Sequence, residues 1–288
     1  ALLSNGVSPH NDNHNRIVES LGDANGDVTV IAHQEIALIG GRVFANGDAL
    51  EDFDLVWMLG LGERHDFMDR CQILANLPPG KLLNSAQGML LMHSKHMSLP
   101  HSPLCCSSNK VTTFLEVARR HPEIQRWVIK PAAGSYGRNV WRVRGLDELK
   151  KALEQATSGA NYCLMQAYVE EISQGETRSL VVNGEIVGSY LRVPEHDFLA
   201  NLSSGARARA AVLSPMQKEQ VLSVASALQE RGIRFAAVDM AFPYLIEVNV
   251  ANPGGFATLA SLEGAEKPDV GQRLAAALGS MLEQSQRA

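Results

Sequence analysis

The stretch Ala237-Val-Asp-Met-Ala-Phe-Pro-Tyr-Leu-Ile-Glu-Val-Asn249 decides how the rest of the chain is read. Pro243-Tyr244 interrupts two β-rich runs, so the segment predicts a hairpin. Side chains alternate along a strand, which puts Glu247 and Asn249 on one face while Ile246 and Val248 point into a core. Asp239 lies on the partner strand, within reach of that polar face. Two carboxylates and one carboxamide oxygen, beside the Gly-rich turn Asn252-Pro-Gly-Gly255, suit a hard cation such as Mg2+. They are too few for a closed cage and leave positions open for phosphate oxygens. A solvated strand face carrying acids by chance fits the same letters, so the motifs upstream must choose.

The chain has 288 residues, enough for two or three subdomains around a large core. With 45% hydrophobic and 20% charged residues, it reads as a soluble globular protein. A formal net charge of −5 gives no reason to expect nucleic acid or an anionic membrane as partner. No apolar run approaches the roughly 20 residues of a membrane span, and a signal-peptide pattern is lacking at the start. The expected location is the cytoplasm. Cys71, Cys105, Cys106 and Cys163 follow neither disulfide-framework nor metal-ligand spacing. The adjacent Cys105 and Cys106 are read as incidental. Nine histidines are expected on surfaces and loops; His93 and His96 fit one helix face, but a zinc site wants tighter grouping.

Residues 1–90 alternate strand-like and helix-like runs, which favours a parallel sheet. Strands are expected at Ala1–Leu3, Val28–Ile31 and Phe53–Met58, and helices at Arg16–Leu21 and Met68–Leu77. A hairpin is expected across Gly40-Gly41. No GxGxxG follows the first strand, so a dinucleotide fingerprint is absent. Gly60-Leu-Gly62 reads as a turn at a strand end, where substrate could sit.

Further along, Trp127-Val-Ile-Lys130 is a strand, Pro131-Ala-Ala-Gly134-Ser-Tyr-Gly137 a loop, and Asn139–Val143 a returning strand. A lysine ending a strand before a Gly-containing hairpin can set an ammonium and successive backbone N–H groups around polyphosphate. A plain β-turn is the competing reading. Tyr162–Val169 is an apolar strand running into Glu170-Glu171; such an edge can offer backbone groups to an adenine ring, with Glu176 placed for a ribose hydroxyl. Arg178 and Arg192 fall on paired strands around the turn Asn183-Gly184. Facing one site they would neutralise phosphate or a carboxylate; as exposed strand charges they would do neither. Asn201–Arg207 is a polar loop and Ser214–Arg231 a capped amphipathic helix. Helices follow at Phe256–Glu263, whose N-terminus favours an anion, and at Val270–Ser285.

The order Lys95, Lys130 with its Gly loop, an acidic strand exit, Arg178, Arg192, Asn201, Asp239, Glu247, Asn249 resembles the ATP-grasp superfamily. Within it, the likeness is to prokaryotic glutathione synthetases and RimK-like carboxylate–amine ligases. The resemblance covers roughly residues 80–265. Its most specific parts are Trp127–Pro131 with Gly134 and Gly137, Gly175–Glu185, Asn201–Gly205, and Asp239 with Ile246–Val250. It implies an α/β fold, mixed α+β in its ATP-grasp part, divided into 1–90 (N-terminal pre-grasp), 91–168 (central, with the Gly-rich loop) and 169–288 (C-terminal, with the metal site).

By this resemblance Lys95 and Lys130 hold ATP phosphates beneath the loop residues Gly134, Ser135, Tyr136 and Gly137. Gln166, Ala167, Tyr168 and Val169 line the adenine, and Glu176 takes the ribose. Asp239, Glu247 and Asn249 carry Mg2+ (or Mn2+). Arg178, Arg192, Asn201 and Lys130 form the catalytic set, with the arginines on phosphate or a substrate carboxylate. The implied reaction condenses a small carboxylate with a small amine through an acylphosphate, in a homo-oligomer (dimer or tetramer). Glutathione synthetase proper, a RimK-like glutamate ligase and an inactive ATP-binding regulator are the alternatives. The chain departs from the family on the substrate side: Tyr136 stands where a loop glycine is expected, Leu199 replaces an arginine, and Leu59–Arg64 replaces an Arg-Lys-Asp-Pro-Pro segment.

Overall fold

In the computed structural model, which describes residues 1–4, 12–24, 26–132, 139–194, 205–263 and 269–287, the chain opens on a parallel sheet. Strand β1 (Leu2–Leu3) leads to helix α1 (Asp12–Asp23) and β2 (Val30–Ile31). A separate antiparallel sheet follows, made of β3 (Ile36–Ile39), β4 (Arg42–Ala45) and β5 (Asp48–Ala49). Strand β6 (Trp57–Met58) then returns to β1, giving the parallel order β2-β1-β6. Leu3 and Met58 pack into one core, Leu2 and Trp57 into another, as expected of parallel strands covered on both faces. Helices α2 (Phe67–Leu74) and α3 (Ala86–Met92) complete this part.

The middle of the chain is a four-stranded antiparallel sheet. Its elements are β7 (Cys105–Ser108), α4 (Val111–Arg120), β8 (Arg126–Pro131), β9 (Trp141–Arg144), α5 (Gly145–Ala156) and β10 (Cys163–Ala167). The strand order is β7-β10-β8-β9. Phe114, Leu115, Leu149 and Leu153 from the two helices bury Trp127, Ile129 and Met165 on one face. Strand alternation therefore turns Val128, Lys130 and Gln166 to the other face.

The last part is built on β11 (Glu176–Val182), β12 (Glu185–Val193), β13 (Arg207–Ala210), α6 (Pro215–Gln229), β14 (Phe235–Ala241) and β15 (Tyr244–Asn249), then α7 (Phe256–Glu263) and α8 (Val270–Arg287). The sheet runs β13-β12-β11-β14-β15. Helix α6 starts at a reciprocal cap: Gln217 N–H donates to Ser214 Oγ at 3.3 Å, and Ser214 N–H to Gln217 Oε1 at 2.9 Å. Asn84 joins the first and last parts. Its Nδ2 donates to the Phe235 and Val250 carbonyls at 2.9 and 3.3 Å, and its Oδ1 accepts from Arg234 and Phe235 N–H groups at 2.9 and 2.8 Å.

The predicted hairpin forms, with Asp239 opposite Glu247 and Ala237 opposite Asn249. Several boundaries need correction. The Phe53–Met58 strand shrinks to Trp57–Met58, and the first helix starts at Asp12 rather than Arg16. Three strands went unpredicted, β5, β7 and β13, each at a sheet edge. Helix α3 ends at Met92, so His93 and His96 share no helix face. His14 and His33 are buried, 3% and 2% exposed, contrary to the expectation of surface histidines.

Candidate active site

The C-terminal sheet changes character along its length. On β11, Val182 and Leu180 lie in the core, and two residues further back on the same face come Arg178 and then Glu176. Strand pairing sets Tyr190 opposite Arg178, Arg178 opposite Asp239, and Asp239 opposite Glu247. One row across four strands thus carries Tyr190, Arg178, Asp239 and Glu247, with Arg192 and Glu176 paired in the next row. A core face has become a charged one without any loop intervening.

Asp239 is the centre of this cluster. Arg178 grips it with two bonds, Nε to Oδ1 at 2.8 Å and Nη2 to Oδ2 at 2.6 Å. Arg192 Nη2 lies 2.9 Å from the same Oδ2 and 2.6 Å from Glu176 Oε2. Asn249 Nδ2 donates to Asp239 Oδ2 at 3.1 Å. Burial works against ionising Asp239, but Arg178 and Arg192 together hold its carboxyl below the ordinary range. Burial pushes the Glu176 carboxyl up, against the pull of Arg192. The buried Arg192 Nε has no hydrogen-bond partner among the described residues.

Two lysines arrive from elsewhere. Lys95, beyond α3, sets its Nζ 3.0 Å from Glu247 Oε1. Lys130, at the end of β8, donates from Nζ to the Ile246 carbonyl at 3.1 Å. Burial lowers the Lys130 pKa, while Glu247 and Glu176 oppose the shift. The structure thus brings the candidate metal residues, both arginines, Glu176 and both lysines together. Gly134, Ser135, Tyr136, Gly137, Leu199 and Asn201 lie outside the described residues.

The nucleotide edge needs a correction. Strand β10 is interior, with β7 on one side and β8 on the other, so its flank is not open to an adenine ring. Gln166 is buried and paired with Cys105 and Val128. The N–H groups of Ala167 and Tyr168 already donate to the carbonyls of Leu104 and Arg126, at 2.8 and 3.0 Å. Free backbone groups are therefore to be sought past the strand end, around Tyr168 and buried Val169, where Ile246 packs with Val169 and Ile172, while Gln166 shares the sheet face of Lys130.

The donor set fits a hard cation that keeps other ligands. Asp239, Glu247 and Asn249 offer oxygens from one sheet face, and no three His, Cys, Asp or Glu groups close a cage among the described residues. Three of the four bonds on Asp239 fall on Oδ2 and one on Oδ1, so Oδ1 keeps a lone pair, and Glu247, with its side chain 30% exposed, is the more available acid.

Sequence reading missed Tyr190 and Asn13. Tyr190, 1% exposed, shares the arginine face, and its spacing two residues before Arg192 was a usable signal. Asn13, ahead of the helix expected at Arg16–Leu21, sits in the first turn of α1 and donates to Asn252 Oδ1 at 2.7 Å and the Pro253 carbonyl at 3.0 Å. The turn it holds is the Gly-rich one, where Gly254 O accepts from Arg178 Nη1 at 3.2 Å. Gly255 (φ +124°) leaves room for the Tyr190 hydroxyl, which a Cβ would meet at 2.7 Å. Burial raises the buried Cys71 and Cys163 thiols to about 11, which keeps them protonated near neutral pH.

Comparison with known proteins gives one family match and a broad set of relatives. The family described as "Prokaryotic glutathione synthetase, ATP-grasp domain" matches residues 90–264. A glutathione synthetase of Gloeobacter violaceus is 28% identical over 198 residues, 68% of this chain and 59% of that protein. Among solved structures, D-cycloserine synthetase DcsG superposes with a TM-score of 0.71 at 16% identity, over 98% of each chain. The ATP-grasp ligase PsnB, solved with a minimal precursor, Mg and ADP, gives 0.69 at 19% identity, over 98% of this chain and 96% of that one.

Proposed function

The chain belongs to the prokaryotic glutathione synthetase ATP-grasp family, and from that premise we propose that it is an ADP-forming carboxylate–amine ligase joining two small amino-acid-like molecules. One observation carries the reading. Lys95 and Lys130, from outside the C-terminal sheet, reach the Glu247 strand of the hairpin that also presents Asp239 and Asn249 beside Arg178 and Arg192. Four cations thus meet three carboxylates in a largely buried site, a balance suited to a polyanion.

A carboxylate does not react with an amine at neutral pH until one of its oxygens becomes a leaving group. Attack of that oxygen on the γ-phosphorus of ATP makes an acylphosphate and ADP; the amine nitrogen then attacks the acyl carbon and phosphate departs. This chemistry asks the protein for alignment and charge cancellation. Lys130 and Lys95 would face the phosphates, and Arg192, through its buried Nε, would take an oxygen of the transferring group. Asp239, held by both arginines, would fix their direction. Glu247, Asn249 and Asp239 would hold Mg2+, whose charge offsets that of the phosphates. Adenine would lie past the end of β10, near Val169 and Ile246, with Glu176 toward the ribose. Gly134–Gly137 and Asn201 complete the proposed site. The parts 1–90, 91–168 and 169–288 are proposed as its three subdomains.

The departures from the family pattern read in the sequence fall on the substrate side. Leu59–Arg64 is held by Arg70, which donates to the Leu61 and Glu63 carbonyls, so the replaced segment forms an ordered turn. This favours substrates other than those of glutathione synthesis. The test is ADP release from ATP and Mg2+ with pairs drawn from amino acids and dipeptides, γ-glutamylcysteine plus glycine included. Product from that last pair at the highest rate would overturn the preference. No ADP from any pair would overturn the ligase reading.

A further inference from the structure

Asn13 carries a feature that the loop-holding role leaves unexplained. Its amide orientation is fixed, because Nδ2 donates to the Pro253 carbonyl, which can only accept. The opposite arm, Oδ1, is buried and has no hydrogen-bond partner among the described residues, on a side chain belonging to a residue 3% exposed. Buried acceptors are normally satisfied. The amide that carries it lies beside the candidate site: a Cβ on Gly254 would meet Asn13 Nδ2 at 3.7 Å and Arg178 Nη1 at 3.9 Å. It also lies at the carboxyl end of the parallel sheet, where Ser4, next after β1, pairs with buried His14 at 2.9 Å. That end of an open α/β sheet is where ligands bind.

We propose that Asn13 Oδ1 accepts an N–H from the amino group of the amine substrate, an α-amino acid, next to Arg178. The inference rests on the ligase reading for the role of that ligand, not for its binding. A neutral carboxamide is the right acceptor for a nucleophilic amine. A carboxylate in the same place would hold the group as an ammonium and blunt the nucleophile, whereas an amide oxygen orients the nitrogen without fixing its charge. The carbonyls of Pro253 and Gly254 beside it keep their own donors, Asn13 Nδ2 and Arg178 Nη1.

The experiment uses the full chain with a non-hydrolysable ATP analogue and Mg2+, and reads thermal stability against each of the twenty amino acids, free and N-acetylated. At least one free amino acid is expected to raise the Tm by about 3–5 °C at saturation, and its N-acetyl form by less than about 1 °C. Asn13→Ala should abolish the difference. Asn252→Ala, which removes a loop contact but leaves Oδ1 in place, should retain it. The proposal is overturned if no free amino acid shifts the Tm, if the acetylated form binds equally, or if Asn13→Ala discriminates like the wild type. Should Asn13→Ala fail to fold, the comparison of free with acetylated ligands on the wild-type chain still decides. Discrimination without ADP formation under any substrate pair leaves this site standing and removes the ligase reading. ADP formation without discrimination does the reverse.

Discussion

Asp239→Asn and Glu247→Gln each delete one carboxylate charge from the same rung of β14–β15, and their consequences should separate. Asp239 accepts two bonds from Arg178, one from Arg192 and one from Asn249, and it is 2% exposed. Neutralising it leaves two guanidiniums short of a counter-charge in a buried place, a change that costs about 3–5 kcal/mol. Arg192 keeps Glu176 at 2.6 Å, so the lower end, about 3 kcal/mol, is expected. For a chain of this size each kcal/mol moves the melting temperature by about 2 °C, which gives a fall of about 6 °C. Among the described residues Glu247 has one ion pair, to Lys95, with the Glu247 side chain 30% and the Lys95 side chain 16% exposed. Such a pair contributes about 0–1 kcal/mol, so Glu247→Gln should melt within about 2 °C of wild type. Its ADP release should nonetheless fall about 100-fold or more, the scale of losing one electrostatic stabiliser at a reacting phosphate. Calorimetry and ADP release per mole of folded protein measure the two effects. The reasoning fails if Asp239→Asn melts like wild type, or if Glu247→Gln keeps more than half the turnover.

Three other perturbations follow from single sites. Burial, with Arg70 adding to it, lowers the His33 pKa from 6.5 to about 4, so the folded state binds fewer protons than the unfolded chain. The associated stability, about 3 kcal/mol, is fully present above about pH 6.5 and is lost as pH falls toward 4. Urea midpoints across that window should slope for wild type and lie flatter for His33→Gln; equal slopes would refute this. Lys130→Met removes a buried ammonium whose pKa burial lowers, so the Tm should hold or rise while ADP release falls at least 100-fold; a Tm drop beyond about 4 °C would contradict it. Asn84→Ala strips four bonds from the junction of the first and last parts, and leaving those backbone groups buried should cost about 3 kcal/mol or more, seen as a lower urea midpoint. A midpoint unchanged within error would mean that solvent replaces the amide.

Elements with a strong hydrophobic period were legible in the sequence. Residues Arg126–Pro131, Glu176–Val182 and Phe256–Glu263 formed where alternation or helix spacing is clear, and the Ser214–Pro215 signal marked the cap of α6. Strands β7 and β13 were not legible because Cys-Cys-Ser-Ser and Arg-Ala-Arg-Ala carry no apolar alternation. Each is made a strand by its neighbour, β10 or β12. The error over β10 has the same origin. Its apolar run was visible, but whether a strand is central or at an edge depends on what pairs with it from a distance, and β7 was missing from the reading. Buried His14 and His33 were missed for a related reason: each is held by tertiary contacts that local polarity does not announce.

The candidate site was more legible than the fold around it, and strand geometry explains why. Its residues sit at alternate positions on paired strands, so one known hairpin register fixes Asp239 against Glu247, and a second puts Arg178 against Asp239. What alternation could not give was the state of the charges. From sequence, Asp239 is a metal ligand and Arg178 an anion binder, each awaiting a substrate; in the fold they satisfy one another at 2.6–2.8 Å. A site built this way can keep its arginines buried and ordered before any phosphate arrives, because Asp239 supplies the counter-charge that desolvation demands. The consequence is a division of labour within one rung: Asp239 keeps the cluster folded, and Glu247, bound only by its exchangeable contact with Lys95 among the ion pairs described, is the acid free to change partners with the proposed nucleotide.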